Sequence, residues 1–114
     1  MANLNTLQKE VVQFRDARDW KQFHTYKDML LSLNLEVSEL CEHFQWKSAR
    51  EIQEMDKKKV GEELSDILYW ILLLSNDLEV DIEDAFRKKM KKNAAKYPLD
   101  QATGSKDKYT SLKA

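Results

Sequence analysis

Hydrophobic residues recur along most of this chain at the three- and four-residue spacing of an α-helix. Together with the capping residues before each run, the spacing predicts four long helices, at about residues 5–19, 25–46 and 57–77 and between Asp81 and Pro98. Ser48 and Glu51 form a capping pattern that predicts a short helical turn within the bend over residues 47–56. The predicted fold class is therefore all-α, a four-helix bundle.

The third predicted helix contains the most hydrophobic segment of the sequence. Residues 67–74 are apolar on every helical face, and a helix of that kind is buried on all sides. We therefore expect this segment to pack against its own chain and against a second subunit. The predicted core stripes of the second and third helices comprise Met29, Leu33, Val37, Leu40, Phe44, Val60, Leu64, Ile67, Ile71, Leu74 and Leu78.

Two pairs of acidic residues lie beside these apolar faces. Glu36 and Glu39 are on the second helix and Glu63 and Asp66 on the third, each pair at the i, i+3 spacing that puts both carboxylates on one face. Glu36 lies ten residues before the predicted helix end, and Asp66 lies ten residues after the next helix begins. Both are thus about 15 Å from the bend. In an antiparallel pair of helices, the two acidic turns stand level with each other.

Convergence of these four carboxylates would require a cation or protons. At about 5 Å and an effective dielectric constant near 20, each like-charged pair repels by roughly 3 kcal/mol. Several such pairs exceed the stability margin of a typical domain. All-oxygen ligands select hard cations, and Mg²⁺ also binds substrate phosphates. The pattern favours a Mg²⁺ site for a phosphorylated substrate, and the alternative interpretation is two acidic turns exposed separately.

Composition and charge narrow the range of functions. The 114 residues suit one domain, predicted over residues 1–98 and followed by a polar tail over 99–114. A formal net charge of −1 gives no electrostatic basis for binding a nucleic-acid polymer. Cys41 is the only cysteine, and the longest apolar run, residues 67–74, is too short to span a bilayer. No signal segment opens the sequence, so a soluble, cytoplasmic protein is expected.

Three further features leave alternatives open. The connection between the first two helices contains Trp20 and Phe23, which either staple the turn to the bundle or form a pocket wall for a flat ring. His43 lies one turn beyond Glu39, is a candidate to pair with it, and is either a structural partner or a ligand or base. The basic residues of the fourth helix form either a solvated face or a surface that meets phosphates.

Several ordered motifs extend over nearly the whole chain. They comprise Arg18–His24, Glu36–Leu40, Phe44–Lys47, Glu62–Asp66, Asn93–Pro98 and Lys108–Thr110. In order and spacing they resemble the all-α MazG-like nucleoside triphosphate pyrophosphohydrolases, and most closely the dCTP pyrophosphatase branch. The chain departs from the wider family at Leu35, where many members have another acid. It departs from the mammalian branch at Trp70, which replaces a tyrosine.

The resemblance assigns roles to particular residues. It implies that Mg²⁺ is held by Glu36, Glu39, Glu63 and Asp66. Glu39 and Glu63 are the two candidates for the general base. It further implies that the pocket for base and sugar is lined by Trp20, His24, Trp46 and Trp70. A motif of the C-terminal helix, associated with the phosphate end of the substrate, is matched by Lys89, Asn93, Lys96 and Tyr97.

The activity that the resemblance implies is cleavage between the α and β phosphates. The products are a nucleoside monophosphate and pyrophosphate, and the expected substrate is dCTP or a modified dCTP. Members of the family assemble as dimers or as tetramers built from dimers, so a homodimer or homotetramer is expected. Two alternatives remain: a non-enzymatic helical protein that docks through residues 67–74, and a di-iron carboxylate oxidoreductase. The second is disfavoured because neither acidic pair has the Glu-x-x-His form that such sites use.

Overall fold

The chain folds into helices joined by loops and turns. A computed structural model describes residues 3–112, and no strand occurs among them. The helices are α1 (Leu4–Ala17), α2 (Tyr26–Glu42), α3 (Ala49–Glu54), α4 (Lys57–Asp77), α5 (Ile82–Lys96) and α6 (Leu99–Ala102), with 3₁₀ turns at Lys21–Phe23 and Tyr109–Ser111. The all-α class and the four long helices are confirmed. None of the helices in this range has both the length and the hydropathy that crossing a membrane requires.

Short polar side chains begin α2, α3, α4 and α5 where capping chemistry predicts, whereas α1, predicted from about residue 5, is capped by Asn3. Ser48 and Glu51 form a complete capping box at the start of α3. The carboxylate of Asp56 accepts a hydrogen bond from a backbone N–H in the first turn of α4. Thr25 and Asp81 cap α2 and α5 in the same way. These local signals explain why α4 begins where it is predicted to begin.

Two helices end earlier than the hydrophobic pattern predicts. α1 stops at Ala17, and Asp19 in the following turn has a φ of 53°. α2 stops at Glu42 and is followed by a turn in which Trp46 has a φ of 67°. A residue in the left-handed region cannot continue a right-handed helix. The predicted ends, near Asp19 and Trp46, are therefore wrong by two and four residues.

The described residues form two compact units, one up to Val80 and one from Asp81 onward. In the first unit, α4 packs against both α1 and α2. Its core contains Met29 of α2 together with Leu73 and Leu74 of α4. Around it pack the half-buried side chains of Val11, Val12, Leu33, Tyr69 and Trp70. Because the start of α2 meets the second half of α4, the two helices are antiparallel.

Burial along α4 is confined to a shorter stretch than predicted. Leu72–Ser75 are buried at four successive positions, so the helix is enclosed on every side there. Residues 67–71 are only half-buried. Leu64 and Leu78, which the same stripe assigns to the core, are each 52% exposed. The predicted core is thus wrong at both ends of α4, and cover from a second subunit stays a prediction.

The most buried polar group of the first unit is an ion pair that the sequence analysis missed. Arg15 of α1 is fully buried, and its Nη1 lies 2.7 Å from Oδ2 of Asp77, whose side chain is 8% exposed. The hydroxyl of Tyr26 donates to the backbone carbonyl of Asp77. Burial alone would raise the pKa of Asp77, but hydrogen bonds from Arg15 and Asn76 hold it below its ordinary value. The pair ties α1 to the end of α4.

In the second unit, the 3₁₀ turn at Tyr109–Ser111 contacts the C-terminal end of α5. The Nζ atom of Lys96 lies 4.8 Å from the centroid of the Tyr109 ring. Tyr97 meets the same ring edge to face at 6.1 Å. The domain boundary predicted at residue 98 stays a prediction. Residues 99–112 contain α6 and a 3₁₀ turn, so they are not wholly irregular.

Candidate functional site

Three glutamates from two helices converge where α2 and α4 run side by side. Oxygen atoms of Glu36, Glu39 and Glu63 all lie within 4.8 Å of one another. The two glutamates of α2 share a face because they are three residues apart, and the antiparallel α4 brings Glu63 opposite them. Asp66, one turn after Glu63, is exposed and lies outside this triplet. Three of the four predicted carboxylates therefore form the cluster.

Two oxygens of this acidic cluster are buried and have no hydrogen-bond partner among the described residues, Oε2 of Glu36 and Oε2 of Glu63. Burial raises the pKa of Glu36 to about 7, and the neighbouring Glu39 and Asp66 act in the same direction. Buried polar atoms are nearly always paired. A hard divalent cation would pair these oxygens and favour the charged carboxylates. The donor set therefore fits Mg²⁺.

Glu36→Gln should stabilise the metal-free protein at pH 8 and have little effect at pH 5. The pKa of Glu36 is raised in the folded state. The stability that its carboxyl group contributes is therefore fully present below about pH 4.5 and is lost as the pH rises through about 7. Glutamine never becomes charged, so at pH 8 it should add about 1–2 kcal/mol, a value discounted for solvent access. Urea unfolding in EDTA at both pH values measures this difference. Equal effects at the two pH values would contradict the expectation.

His43 contacts the cluster across the helical hairpin. Its Nε2 lies 3.5 Å from Oε1 of Glu63. Glu39, one turn earlier on the same helix face, was the predicted partner, and that prediction is wrong. The face that carries Glu39 and His43 looks toward α4, where Glu63 stands opposite the end of α2.

A cavity of about 480 Å³ adjoins the acidic cluster, and its size is typical of small-molecule sites. Its walls are formed by Glu10, Val11, Phe14, Trp20, His24, Glu36, Asp66, Tyr69 and Trp70. Glu36 thus belongs both to the cluster and to the cavity wall. Asp66, although outside the triplet, faces the same space. The acids and the aromatic side chains therefore surround one site.

Edge-to-face contacts hold the aromatic walls of this cavity in place. The ring centroid of Phe14 lies 5.8 Å from that of Trp20 and 6.1 Å from that of Tyr69. Trp70 lies 5.1 Å from Tyr69 and 5.2 Å from His24. Such pairs restrict ring orientation beyond simple burial. Trp20 is therefore both a packing partner of α1 and a wall of the cavity, so both interpretations of the aromatic connection apply to it. Phe23 is 65% exposed and is not a wall of the cavity.

His24 is a wall of the cavity, and its pKa is lowered. Burial lowers its pKa, and the positive charge of Arg15 lowers it further. Its Nδ1 atom is buried and has no hydrogen-bond partner in the part of the chain that the structure describes. A neutral imidazole has one donor and one acceptor nitrogen. This nitrogen is consequently free to bond a polar group of a ligand.

The other predicted substrate residues take different positions. Trp46 lies in the turn after α2, is 92% exposed and is not a wall of the cavity. Lys89, Asn93 and Lys96 lie on α5 and Tyr97 caps its C-terminus, all in the second unit. The substrate roles predicted for these five residues stay predictions.

Four cavity residues were missed by the sequence analysis: Glu10, Val11, Phe14 and Tyr69. Val11 and Phe14 share an apolar face of α1, and Tyr69 lies in the apolar segment of α4. Helical periodicity identifies such faces, but it does not distinguish a cavity wall from a packed core. Only the relative positions of α1, α2 and α4 make that distinction.

Comparison with known proteins identifies the family of this chain. The MazG-like family model matches residues 31–112. The chain is 39% identical to dCTP pyrophosphatase 1 of Rattus norvegicus and 37% identical to that of Homo sapiens, in each case over 96% of this chain and 67% of the relative. The structure resembles that of a pyrophosphatase from Archaeoglobus fulgidus, with a TM-score of 0.76 and 37% identity over 86% of this chain and 94% of the other. The chain belongs to the MazG-like family.

Proposed function

We propose that this MazG-like protein is a Mg²⁺-dependent nucleoside triphosphate pyrophosphohydrolase. The preferred substrate is dCTP or a modified dCTP, the products are the nucleoside monophosphate and pyrophosphate, and the role is the removal of unwanted nucleotides from the pool. The observation that carries the proposal is the convergence of Glu36, Glu39 and Glu63 beside an aromatic cavity. The relatives named dCTP pyrophosphatase support the choice of nucleotide.

The acidic cluster provides the ligands for the cation. Glu36 and Glu63 offer buried oxygens that have no other partner, and Glu39 and Asp66 add carboxylates from the same two helices. When bound, Mg²⁺ neutralises phosphate charge and lowers the pKa of a coordinated water. The chain contributes two packed helices that hold the carboxylates in position. The triphosphate therefore meets a preorganised site.

Glu39 is the residue that we assign as general base, with Glu63 as the alternative. Glu39 is the exposed member of the cluster, whereas Glu36 and Glu63 each have a buried oxygen. An accessible carboxylate within hydrogen-bond reach of the attacking water can accept its proton. Attack at the α-phosphorus breaks the bond to the β-phosphate and releases pyrophosphate as the leaving group.

The aromatic cavity suits a nucleobase. Trp20 and Trp70 present flat rings, and stacking on such rings tolerates any base. A preference among bases therefore requires polar groups on the wall. The groups that supply them are His24, whose pKa is lowered and whose Nδ1 is unpaired, and the carboxylate of Glu10.

We further propose that this protein assembles as a homodimer or homotetramer. α2 and α4 leave large hydrophobic side chains at least half exposed, namely Leu30, Leu31, Leu35 and Leu64. Extended exposed apolar surface marks interaction sites, and the family resemblance implies assembly into dimers. A non-enzymatic docking protein could use the same surface, so catalysis is the property that separates the two functions.

A substrate panel tests the proposal. With Mg²⁺, the purified protein should release pyrophosphate rather than orthophosphate, and most rapidly from dCTP or a modified dCTP. The panel includes the canonical and modified deoxynucleoside and ribonucleoside triphosphates, with products separated by ion chromatography. The control is the same reaction in EDTA, in which no release is expected because the phosphate charge is then not neutralised. Absence of release from every nucleotide would overturn the proposal in favour of the docking protein.

A further inference from the structure

The contact between His43 and Glu63 joins the end of α2 to the acidic cluster on α4. The Nε2 and Oε1 atoms are 3.5 Å apart, and the two side chains are only 27% and 18% exposed. The other oxygen of Glu63, Oε2, is buried and has no hydrogen-bond partner among residues 3–112. The carboxylate is therefore approached by a ring nitrogen at one oxygen, while its other oxygen remains unpaired.

This asymmetry has a consequence for ligand binding. A glutamate side chain has several rotatable bonds, and ordering it for a cation costs conformational entropy. A second group that holds one carboxylate oxygen removes part of that cost before the cation arrives. Glu36 and Glu39 approach from α2, so the orientation of Glu63 decides whether the two helices present their oxygens to a common point.

We propose that His43 is a positioning residue for Glu63, an inference that rests on the proposed metal-dependent function. Its Nε2 lies 3.5 Å from Oε1 of Glu63, and in this proposal the contact shortens to a hydrogen bond from Nε2–H when the cation binds, which leaves Oε2 for the cation. Both the imidazolium and one tautomer of the neutral imidazole carry this donor, so the role does not depend on the charge of the ring. His43 does not itself join the convergent oxygens, which belong to Glu36, Glu39 and Glu63.

The test measures cation binding without nucleotide. Mn²⁺ serves as the probe, and free Mn²⁺ is followed by EPR during a titration of the full chain. His43→Leu should weaken Mn²⁺ binding about tenfold, as is typical when the partner of a ligand is removed. His43→Gln, which restores a neutral N–H donor, should bind within about threefold of the wild type. Asn34→Leu, at an exposed position of α2, is the matched control and should leave binding unchanged.

A kinetic measurement adds a readout that a purely structural role would not move. His43→Leu should raise the Mg²⁺ concentration that gives half-maximal pyrophosphate release, by about tenfold. The rate at saturating Mg²⁺ should stay close to that of the wild type, because excess cation restores the ligand geometry. Should His43→Leu not fold, as judged by circular dichroism, His43→Phe keeps a ring of similar shape without the donor and replaces it.

The outcomes separate this inference from the proposed function. If the wild type binds no Mn²⁺, or if Glu63→Ala binds it as well as the wild type, the proposed metal site itself fails. If Glu63→Ala loses binding while His43→Leu retains it, only the role of His43 is overturned. Equal loss in His43→Gln and His43→Leu also overturns that role, because the donor would then not be the property that matters.

Discussion

The Glu63→Ala variant is expected to release pyrophosphate from dCTP at least about a hundredfold more slowly than the wild type. Removing a side chain that binds the cation directly should cost more activity than removing a residue that only contacts such a side chain. Glu63 is the only member of the acidic cluster that α4 contributes. Without it, the cation is left with carboxylates from α2 and with Asp66, which lies outside the triplet. Initial rates of pyrophosphate release at saturating Mg²⁺ measure the loss.

The same substitution should leave the fold intact. Alanine favours the helix, and removing one acid relieves repulsion within the cluster. Glu62→Ala is the matched control, since Glu62 is the exposed neighbour and takes no part in the triplet. Its rate should lie within about twofold of the wild type, as for most surface substitutions. Equal losses in the two variants would contradict the assignment of Glu63.

Arg15→Met should lower the free energy of unfolding by about 3–5 kcal/mol, the range observed when one member of a buried ion pair is removed. Methionine fills much of the space of the arginine stem, but it leaves the carboxylate of Asp77 buried without its main partner. Burial then destabilises the charged form of the Asp77 side chain. Urea unfolding at pH 7, followed by circular dichroism, measures the change.

Two further variants decide whether burial causes this loss. Arg50→Met removes an arginine from an exposed pair with Glu54 and should cost less than about 1 kcal/mol. The double variant of Arg15→Met and Asp77→Leu replaces both charges by apolar groups and should recover most of the stability. If Arg15→Met costs no more than Arg50→Met, the buried pair is not the tie between α1 and α4 that its geometry indicates.

Helix boundaries could be predicted from the sequence wherever a local side chain determines them. α4 begins after Asp56 and α3 after Ser48 because each cap bonds backbone N–H groups only two or three residues away. The end of α2 was not predictable in this way. α2 stops at Glu42, and the positive φ at Trp46 excludes only the predicted end. Tryptophan carries none of the conformational preference that glycine or asparagine would have signalled.

Burial was predictable in direction but not in extent. Periodicity identified the face of α4 that carries Leu64, Leu74 and Leu78, yet only Leu74 is buried. How far burial extends along a helix face depends on where the neighbouring helices lie. The same limit explains why Arg15 was missed: a charged residue is buried only when a partner meets it, and Asp77 lies 62 residues further along the chain.

The sequence alone determined the helical class and the spacing that places Glu36 with Glu39 on one face. These properties follow from helix geometry and short-range bonding. Only the tertiary structure decided that three carboxylates converge while Asp66 faces the cavity, and that His43 contacts Glu63. Those contacts join separate helices, whose relative rotation and separation are set by side-chain packing rather than by any local pattern.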